Sequence, residues 1–181
     1  MDTDQELYRR FLAGDDAAFA ALIARYRTHL IFFILRSVRD FDAAEDLAED
    51  VFVEVLLHRR RYNFKAPLKA YLFAIARHKT ADHLRRRARH GEQPLETAGD
   101  PADLRTLEEE FLRKEQAAAV HAALNTLPAQ YRTVLHLLYF EEMSYEQAGQ
   151  VMKKNRKQIE NLAYRARQAL KTALEKEEFA P

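Results

Sequence analysis

Two neighbouring segments of this 181-residue chain carry charged side chains whose pattern suits binding. Positions 40–54 hold seven acids and no Lys or Arg, whereas positions 59–89 hold eleven Lys and Arg and a single acid, Asp82. The basic segment also contains Tyr62, Phe64, Tyr71 and Phe73. Such a segment favours a polyanionic partner, because cations neutralise phosphates and aromatic rings stack on unpaired bases. The acidic segment beside it predicts a second partner of different chemistry.

A second basic cluster lies near the C-terminus, where positions 153–171 hold seven Lys and Arg and one acid. Ser144 with Gln147, and Asn155 with Gln158, have the spacing of helix capping boxes. They predict two helices joined by about three residues, the layout of a helix-turn-helix whose second helix enters the DNA major groove. Arg and Asn on that helix can bind base edges, and Lys near the turn suits phosphates.

Helical periodicity predicts the elements that carry these clusters. We expect helices to begin at Asp15 or Asp16, at Asp42 (paired with Glu45), near Pro67 and at Pro128, with a short helix also within residues 2–12. Another helix is expected to resume at Leu107 and run through Phe111. Leu84 and Tyr139 are expected on core-facing stripes. No period-two pattern predicts a strand, so the fold class is predicted to be all-α.

Residues 91–106 contain prolines, glycines and acids without apolar periodicity, which predicts a flexible linker. The chain is therefore expected to form two helical domains, residues 1–90 and 107–181, the second of them a helix-turn-helix.

Several function classes find no support in the residues. Cysteine is absent, the N-terminus lacks the apolar core of a signal peptide, and the longest apolar run is too short for a bilayer. No nucleophile–base arrangement or phosphate-cradling glycine loop is present. His78, Asp82 and His83 have partial metal-ligand spacing, but only His78 and Asp82 share one helical face. Without a third ligand on that face, no metal and no cofactor is expected.

Two blocks of sequence resemble extracytoplasmic-function sigma factors. Residues 127–170 (LPAQYRTVLHLLYFEEMSYEQAGQVMKKNRKQIENLAYRARQAL) resemble region four of that family, which binds promoters. Residues 42–56 (DAAEDLAEDVFVEVL) and 66–87 (APLKAYLFAIARHKTADHLRRR) resemble region two. The blocks occur in the family's order and cover most of the chain. One departure is Lys153 at the turn, where many relatives have Gly and where a left-handed residue other than Gly costs roughly 1 kcal/mol.

The resemblance implies roles for three sets of residues. Those implied for core RNA polymerase are Asp46, Glu49, Asp50, Phe52 and Val53. Those implied for the single-stranded minus-ten element are Arg61, Tyr62, Phe64, Lys65, Lys69, Arg77, His78, Asp82, His83 and Arg86. Those implied for the minus-thirty-five duplex are Lys153, Lys154, Arg156, Lys157, Glu160, Asn161, Tyr164 and Arg165.

The resemblance thus implies a non-enzymatic, cytoplasmic bacterial factor that brings core polymerase to promoter DNA and does not insert into a membrane. The family often has an anti-sigma factor, and whether this chain has one stays open. Two alternatives remain at this point. One is a helix-turn-helix repressor or activator that acts without polymerase, which leaves the acidic helix unexplained. The other is a helical protein-interaction adaptor with no DNA role, which leaves both basic clusters unexplained.

Overall fold

A computed structural model describes residues 2–91 and 116–178, and every regular element in those ranges is helical. The elements are α1 (Asp4–Leu12), α2 (Asp16–Val38), α3 (Phe41–Leu57), α4 (Leu68–His90), α5 (Gln116–Thr126), α6 (Ala129–Leu135), a π-helical turn (His136–Phe140), α7 (Tyr145–Met152) and α8 (Arg156–Glu178). The all-α prediction is confirmed for these residues. The predicted linker beyond Gly91, and the predicted helix start at Leu107 with Phe111, lie outside the described ranges.

The first two helices begin where capping chemistry predicts. Thr3 and Glu6 form a reciprocal capping box at the start of α1. The Asp15 carboxylate accepts a hydrogen bond from the Ala18 N–H at 3.2 Å and caps α2. Gly14, with φ of 98°, makes the turn between them, since glycine has no Cβ to clash in that conformation.

The acidic helix α3 begins earlier than predicted. Its N-cap is Asp40, whose carboxylate accepts from the Ala43 N–H at 3.1 Å, so the prediction of Asp42 as the cap is wrong. The reason is local: Arg39 takes a left-handed conformation (φ 56°) and ends α2, which places Asp40 at the start of the next helix. Asp42 instead lies in the first turn, where its charge favours the helix dipole.

Helix α4 follows Pro67, which is its N-cap. The buried residues of α4 are Leu68, Ala70, Leu72, Phe73, Ala76 and Thr80. Leu84 is 37% exposed, so its predicted core position is wrong. The core-facing stripe of α4 ends at Thr80, and the last ten residues of the helix carry mainly charged side chains and histidines.

The chain folds as two compact units, the first of which contains α1 to α4. Its core is built around α2, which packs against α1, α3 and α4. Leu30, Ile31 and Ile34 of α2 are almost completely buried, as are Phe11 of α1 and Phe73 of α4. By length and composition alone α2 could cross a bilayer, but the central helix of a packed domain meets the same criterion. Its buried side chains contact neighbouring helices, as a core helix requires.

The second unit contains α5, α6, the π-helical turn and α8, and in it α8 packs against α5 and α6. The buried residues of this unit include Val134, Leu137, Ile159, Ala163 and Ala166. The π-helical turn adds one residue to the chain path after α6, which rotates the following side chains relative to an α-helical stripe. Tyr139 is therefore 56% exposed, and its predicted core position is wrong.

Candidate nucleic-acid and protein interfaces

Helix α3 presents one continuous exposed face that changes from acidic to apolar along its length. Asp46, Glu49 and Asp50 are exposed in the first half. Val53, Leu56 and Leu57 follow on the same face at helical spacing and are 49%, 48% and 71% exposed. We call these six residues the α3 stripe. The exposure of Leu56 and Leu57 was not predicted, because apolar residues near the end of an amphipathic helix cannot be told from core residues by sequence alone.

Phe52 does not belong to this surface. It is 6% exposed and its ring meets that of Phe19 edge to face, with 6.4 Å between centroids. The Phe52 side chain packs in the core between α2 and α3. Its predicted contact with core polymerase stays a prediction.

Two acids of α3 outside the stripe, Glu45 and Glu54, have cationic partners on neighbouring elements. Glu45 pairs with Arg27 of α2. Glu54 lies 2.9 Å from Arg61 (Oε1 to Nη1) and 3.8 Å from Lys79 (Oε2 to Nζ). In contrast, Asp46 and Asp50 have no cationic partner among the described residues. Those two carboxylates are available to an external partner.

The loop that joins α3 to α4 is held by its own side chains and hydrogen bonds. Tyr62 is 4% exposed, and its hydroxyl donates to the Ala66 carbonyl at 2.6 Å. The Tyr62 ring is therefore buried in this conformation, and its predicted role at the minus-ten strand stays a prediction. Phe64 is half-buried with φ of 60°, and Lys65 is exposed. The loop therefore presents Arg61, Lys65 and part of Phe64 to solvent.

Helix α4 extends this surface with the polar residues of its outer face. His78 and Arg86 are exposed, while Lys69, Arg77, Asp82 and His83 are half-buried. Asp82 is held between two side chains: its Oδ2 lies 3.4 Å from His78 Nδ1, and its Oδ1 accepts from Arg85. His78, Asp82, His83 and Arg86 line a groove beside α3, together with Asp46 and Asp50. No group of three or more metal-ligating side chains converges among the described residues.

The two helices near the C-terminus meet in a helix-turn-helix whose caps form as predicted. The Gln147 N–H donates to Ser144 Oγ at 3.2 Å, and the Ser144 N–H donates to Gln147 Oε1 at 2.9 Å. Asn155 and Gln158 repeat this reciprocal pair at 2.9 Å in both directions. Lys153 has φ of 53°, the left-handed turn conformation, and the Lys154 N–H donates to the Gly149 carbonyl at 2.9 Å.

Helix α8 points its polar residues outward along one face. Arg156, Lys157, Asn161, Tyr164 and Arg165 are exposed, whereas Glu160 is half-buried. Lys153 is exposed and Lys154 half-buried at the turn.

Arg156 is oriented by two carboxylates. Its guanidinium donates to Glu160 at 2.8 Å and to Glu146 of α7 at 2.7 Å. The hydrogen bond to Glu160, followed by the charges of Glu146 and Glu160, raises the pKa of Arg156. Lys157 and Arg165 have no carboxylate partner among the described residues, so this helix face offers cations for phosphates or base edges.

A buried polar pair in the second unit was not predicted. His136 Nε2 lies 3.2 Å from Glu141 Oε1, and each residue is only 4% exposed. The two residues are five positions apart, and the π-helical turn brings them together. A search for α-helical periodicity, with its period of about 3.6 residues, does not predict a contact between residues five positions apart.

Comparison of the sequence with known proteins identifies its family. The sequence matches Sigma-70 region 2 over residues 22–90 and Sigma-70, region 4 over residues 117–170. It is 33% identical over 185 residues to the RNA polymerase sigma-H factor of Pseudomonas aeruginosa, covering 96% of this chain and 95% of that protein. It is 24% identical over 170 residues to the ECF RNA polymerase sigma factor SigW of Bacillus subtilis, covering 89% and 91%. The chain belongs to the extracytoplasmic-function sigma factors.

The sigma-factor fold is shared with two solved structures. One is CnrH in complex with the cytosolic domain of CnrY, with a TM-score of 0.71 and 24% identity over 96% of this chain and 98% of that one. The other is the sigma factor RpoE with the anti-sigma factor NepR from Bartonella quintana, with a TM-score of 0.71 and 25% identity over 87% and 96%.

Family membership settles the broad function. This sigma factor directs promoter-specific initiation by core RNA polymerase and is not itself an enzyme. Its partners are core polymerase and promoter DNA, and sigma factors act at polymerase in the cytoplasm. The alternatives of a polymerase-independent repressor or activator and of a DNA-free adaptor are thereby excluded.

Proposed function

We propose that this sigma factor divides its work among three surfaces. The α3 stripe binds core polymerase, the 61–67 loop with the outer face of α4 binds the opened minus-ten strand, and the exposed face of α8 binds the minus-thirty-five duplex. We also propose that residues 1–90 and 107–181 are the two functional domains and that the protein acts in the bacterial cytoplasm.

The α3 stripe is the observation that carries this proposal. Its two unpaired carboxylates, Asp46 and Asp50, are followed on the same face by Val53, Leu56 and Leu57. A row of exposed aliphatic side chains beside charges is typical of a protein-binding surface, since apolar burial supplies affinity and charge supplies orientation. A DNA-facing role is disfavoured there, because the carboxylates repel phosphates.

The minus-ten assignment rests on the charge and shape of the loop and α4. Lys65 and Arg86 are exposed cations, and half-buried Phe64 offers part of an aromatic ring. Binding an unstacked strand needs cations along the backbone and aromatic faces for bases. His78, Asp82, His83 and Arg86 line one groove and can donate to or accept from base edges.

The minus-thirty-five assignment rests on the helix-turn-helix. Caps at both helices fix the turn, and α8 presents Arg156, Lys157, Asn161, Tyr164 and Arg165 from its first turns. The N-terminal residues of such a helix contact base edges in the major groove. Arg156 is already oriented by Glu160 and Glu146, which favours a directional contact to a base over a diffuse contact to phosphate.

Charge reversal on the α3 stripe tests the polymerase surface. The double variant Asp46→Lys and Asp50→Lys should fail to assemble with purified core polymerase in size-exclusion chromatography. Duplex binding by the free chain should stay, since α8 is untouched. Asp42→Lys with Asp16→Lys is the matched control, because it adds the same charge at exposed positions outside the stripe. Normal holoenzyme formation by the Asp46 and Asp50 variant would remove the stripe from the polymerase interface.

We also propose that an anti-sigma protein regulates this chain. The support comes from the two solved structures named above. The similar RpoE was solved with the anti-sigma factor NepR, and the similar CnrH was solved with the cytosolic domain of CnrY. The test is to purify the product of a gene cotranscribed with this one and add it to run-off transcription. Stoichiometric inhibition supports the proposal, and inhibition by no cotranscribed product contradicts it.

A further inference from the structure

Helix α1 contacts the loop assigned to the minus-ten strand, although it lies before residue 22, where the match to region two begins. Tyr8 of α1 is 1% exposed, and its ring meets Tyr62 and Phe64 edge to face at centroid distances of 4.8 Å and 5.8 Å. The Tyr8 hydroxyl donates to the Arg59 carbonyl at 2.8 Å. One side chain of α1 thus fixes both the start and the centre of the connection between α3 and α4.

The loop needs such support because one of its residues is in an unfavourable conformation. Phe64 has φ of 60°, and a bulky residue in the left-handed region is strained. Residues held in this way persist when their surroundings over-determine them. Phe64 has three such constraints: the ring of Tyr8, the ring of Tyr62 at 4.8 Å, and the Arg9 guanidinium at 5.1 Å from its centroid.

Helix α1 is itself well anchored. The Thr3–Glu6 capping box fixes its start, and Asp4 accepts hydrogen bonds from Arg25 and Tyr26 of α2. A helix tied at one side to the core and at the other to a strained loop can hold that loop in one shape.

We propose that α1 is a brace for the 61–67 loop, and that Tyr8 and Arg9 are positioning residues for binding of the opened minus-ten strand. Neither residue is assigned a contact with DNA. Tyr8 holds the loop through the Arg59 carbonyl and the aromatic cluster, and Arg9 holds the Phe64 ring. The brace lowers the conformational entropy that the loop would otherwise lose on binding. This inference rests on the proposed assignment of the loop to the minus-ten strand.

The test uses holoenzyme assembled from core polymerase and Tyr8→Phe or Arg9→Leu chains. Tyr8→Phe removes one hydroxyl and keeps the ring, and Arg9 is exposed, so both variants should fold. The probe is a fluorescent single strand covering the minus-ten element of a promoter that wild-type holoenzyme transcribes. Binding is measured by anisotropy. The matched controls are Tyr131→Phe, which makes the same change in the second unit, and Arg10→Leu, which makes it on another face of α1.

We expect each brace variant to bind the strand about threefold to tenfold more weakly, the range for a lost hydrogen bond or cation–π contact. The controls should bind as wild type. Arg9→Lys, which keeps the cation, should recover part of the loss. A double-mutant cycle of Tyr8→Phe with Lys65→Ala should be non-additive, because a displaced loop already misplaces Lys65. Global destabilisation would instead give additive effects.

Lys65→Ala alone separates the two ways to fail. If Lys65→Ala weakens strand binding and Tyr8→Phe and Arg9→Leu do not, the brace is wrong and the loop assignment stands. If Lys65→Ala also leaves strand binding unchanged, the assignment of the loop to the minus-ten strand is wrong, and the brace falls with it.

Discussion

Glu141 and His136 form a hydrogen-bonded pair inside the second unit, and a buried pair of this kind is costly to break. Each is 4% exposed, and the His136 ring stacks on Phe140 with 5.3 Å between centroids. Removing one partner leaves the other buried without that bond, which costs about 1–3 kcal/mol. Glu141→Ala should therefore lower the free energy of unfolding by this amount.

The measurement for Glu141→Ala is urea unfolding of the full chain followed by circular dichroism. Glu142→Ala is the matched control, since it makes the same chemical change at an exposed neighbour. We expect the control to change the unfolding free energy by less than about 0.5 kcal/mol. Equal effects of the two substitutions would show that the pair contributes nothing specific.

Lys153 has a backbone conformation that is unfavourable for folding and a positive charge that is favourable for binding DNA. Its φ of 53° suits glycine better than lysine by roughly 1 kcal/mol. Lys153→Gly should stabilise the helix-turn-helix by about this amount. It should also weaken duplex binding, with a salt dependence reduced by about one phosphate contact.

The control for Lys153 is Lys154→Gly, which removes the same charge at a position whose φ is not positive. Thermal unfolding should show a gain for Lys153→Gly alone, while anisotropy over a salt series should show weaker duplex binding for both. A loss of stability in Lys153→Gly would mean that the lysine side chain stabilises the turn more than its backbone strains it.

At the scale of elements, the aromatic cluster joining α1, α4 and the loop predicts sensitivity to alkali. Burial raises the pKa of Tyr8, Tyr62 and Tyr71, and in Tyr8 the neighbouring tyrosines add to the effect. An unfolded tyrosine ionises near pH 10, so above that pH the unfolded chain releases protons that the folded chain keeps. Stability is therefore retained below about pH 10 and falls as pH rises further.

The alkaline prediction is measured as the midpoint of thermal unfolding between pH 8 and pH 11. The midpoint should fall steeply above about pH 10. The double variant Tyr8→Phe and Tyr71→Phe should show a shallower fall, because phenylalanine cannot ionise. An unchanged slope in that variant would place the alkaline sensitivity elsewhere in the chain.

The same elements show what local sequence can and cannot predict. Both capping boxes of the helix-turn-helix and the turn at Lys153 follow from short-range hydrogen-bonding chemistry, and all three are present. Tyr139 was misplaced because a π-helical turn changes the helical period. The contact that buries Tyr62 has no local signal, because it is made by Tyr8, which lies 54 positions away in the chain. The exposed half of α3 likewise depends on where its packing partners end.

At the scale of the whole molecule, the net charge of +1 conceals surfaces of opposite character. The negative charges of the α3 stripe and the positive charges of α4 and α8 cancel when the charge is summed over the whole chain. In the proposed division of surfaces, this separation lets one small chain bind a protein and two forms of DNA. Once polymerase holds the chain, each DNA-binding surface acts at a high effective concentration, so two weak contacts give a tight complex.

Two separable DNA surfaces predict that each can be disabled without loss of the other. In holoenzyme, Arg165→Ala should weaken binding of an upstream duplex fragment by about 1–3 kcal/mol if it contacts a base, and reduce its salt dependence. Binding of the minus-ten single strand should stay at the wild-type value. Lys65→Ala should do the reverse, and each variant should lower transcription from the intact promoter. Lys171→Ala, an exposed lysine farther along α8, is the control for loss of one cation and should leave both probes unaffected. If Arg165→Ala weakened both probes equally, the division of promoter recognition between the two units would be wrong.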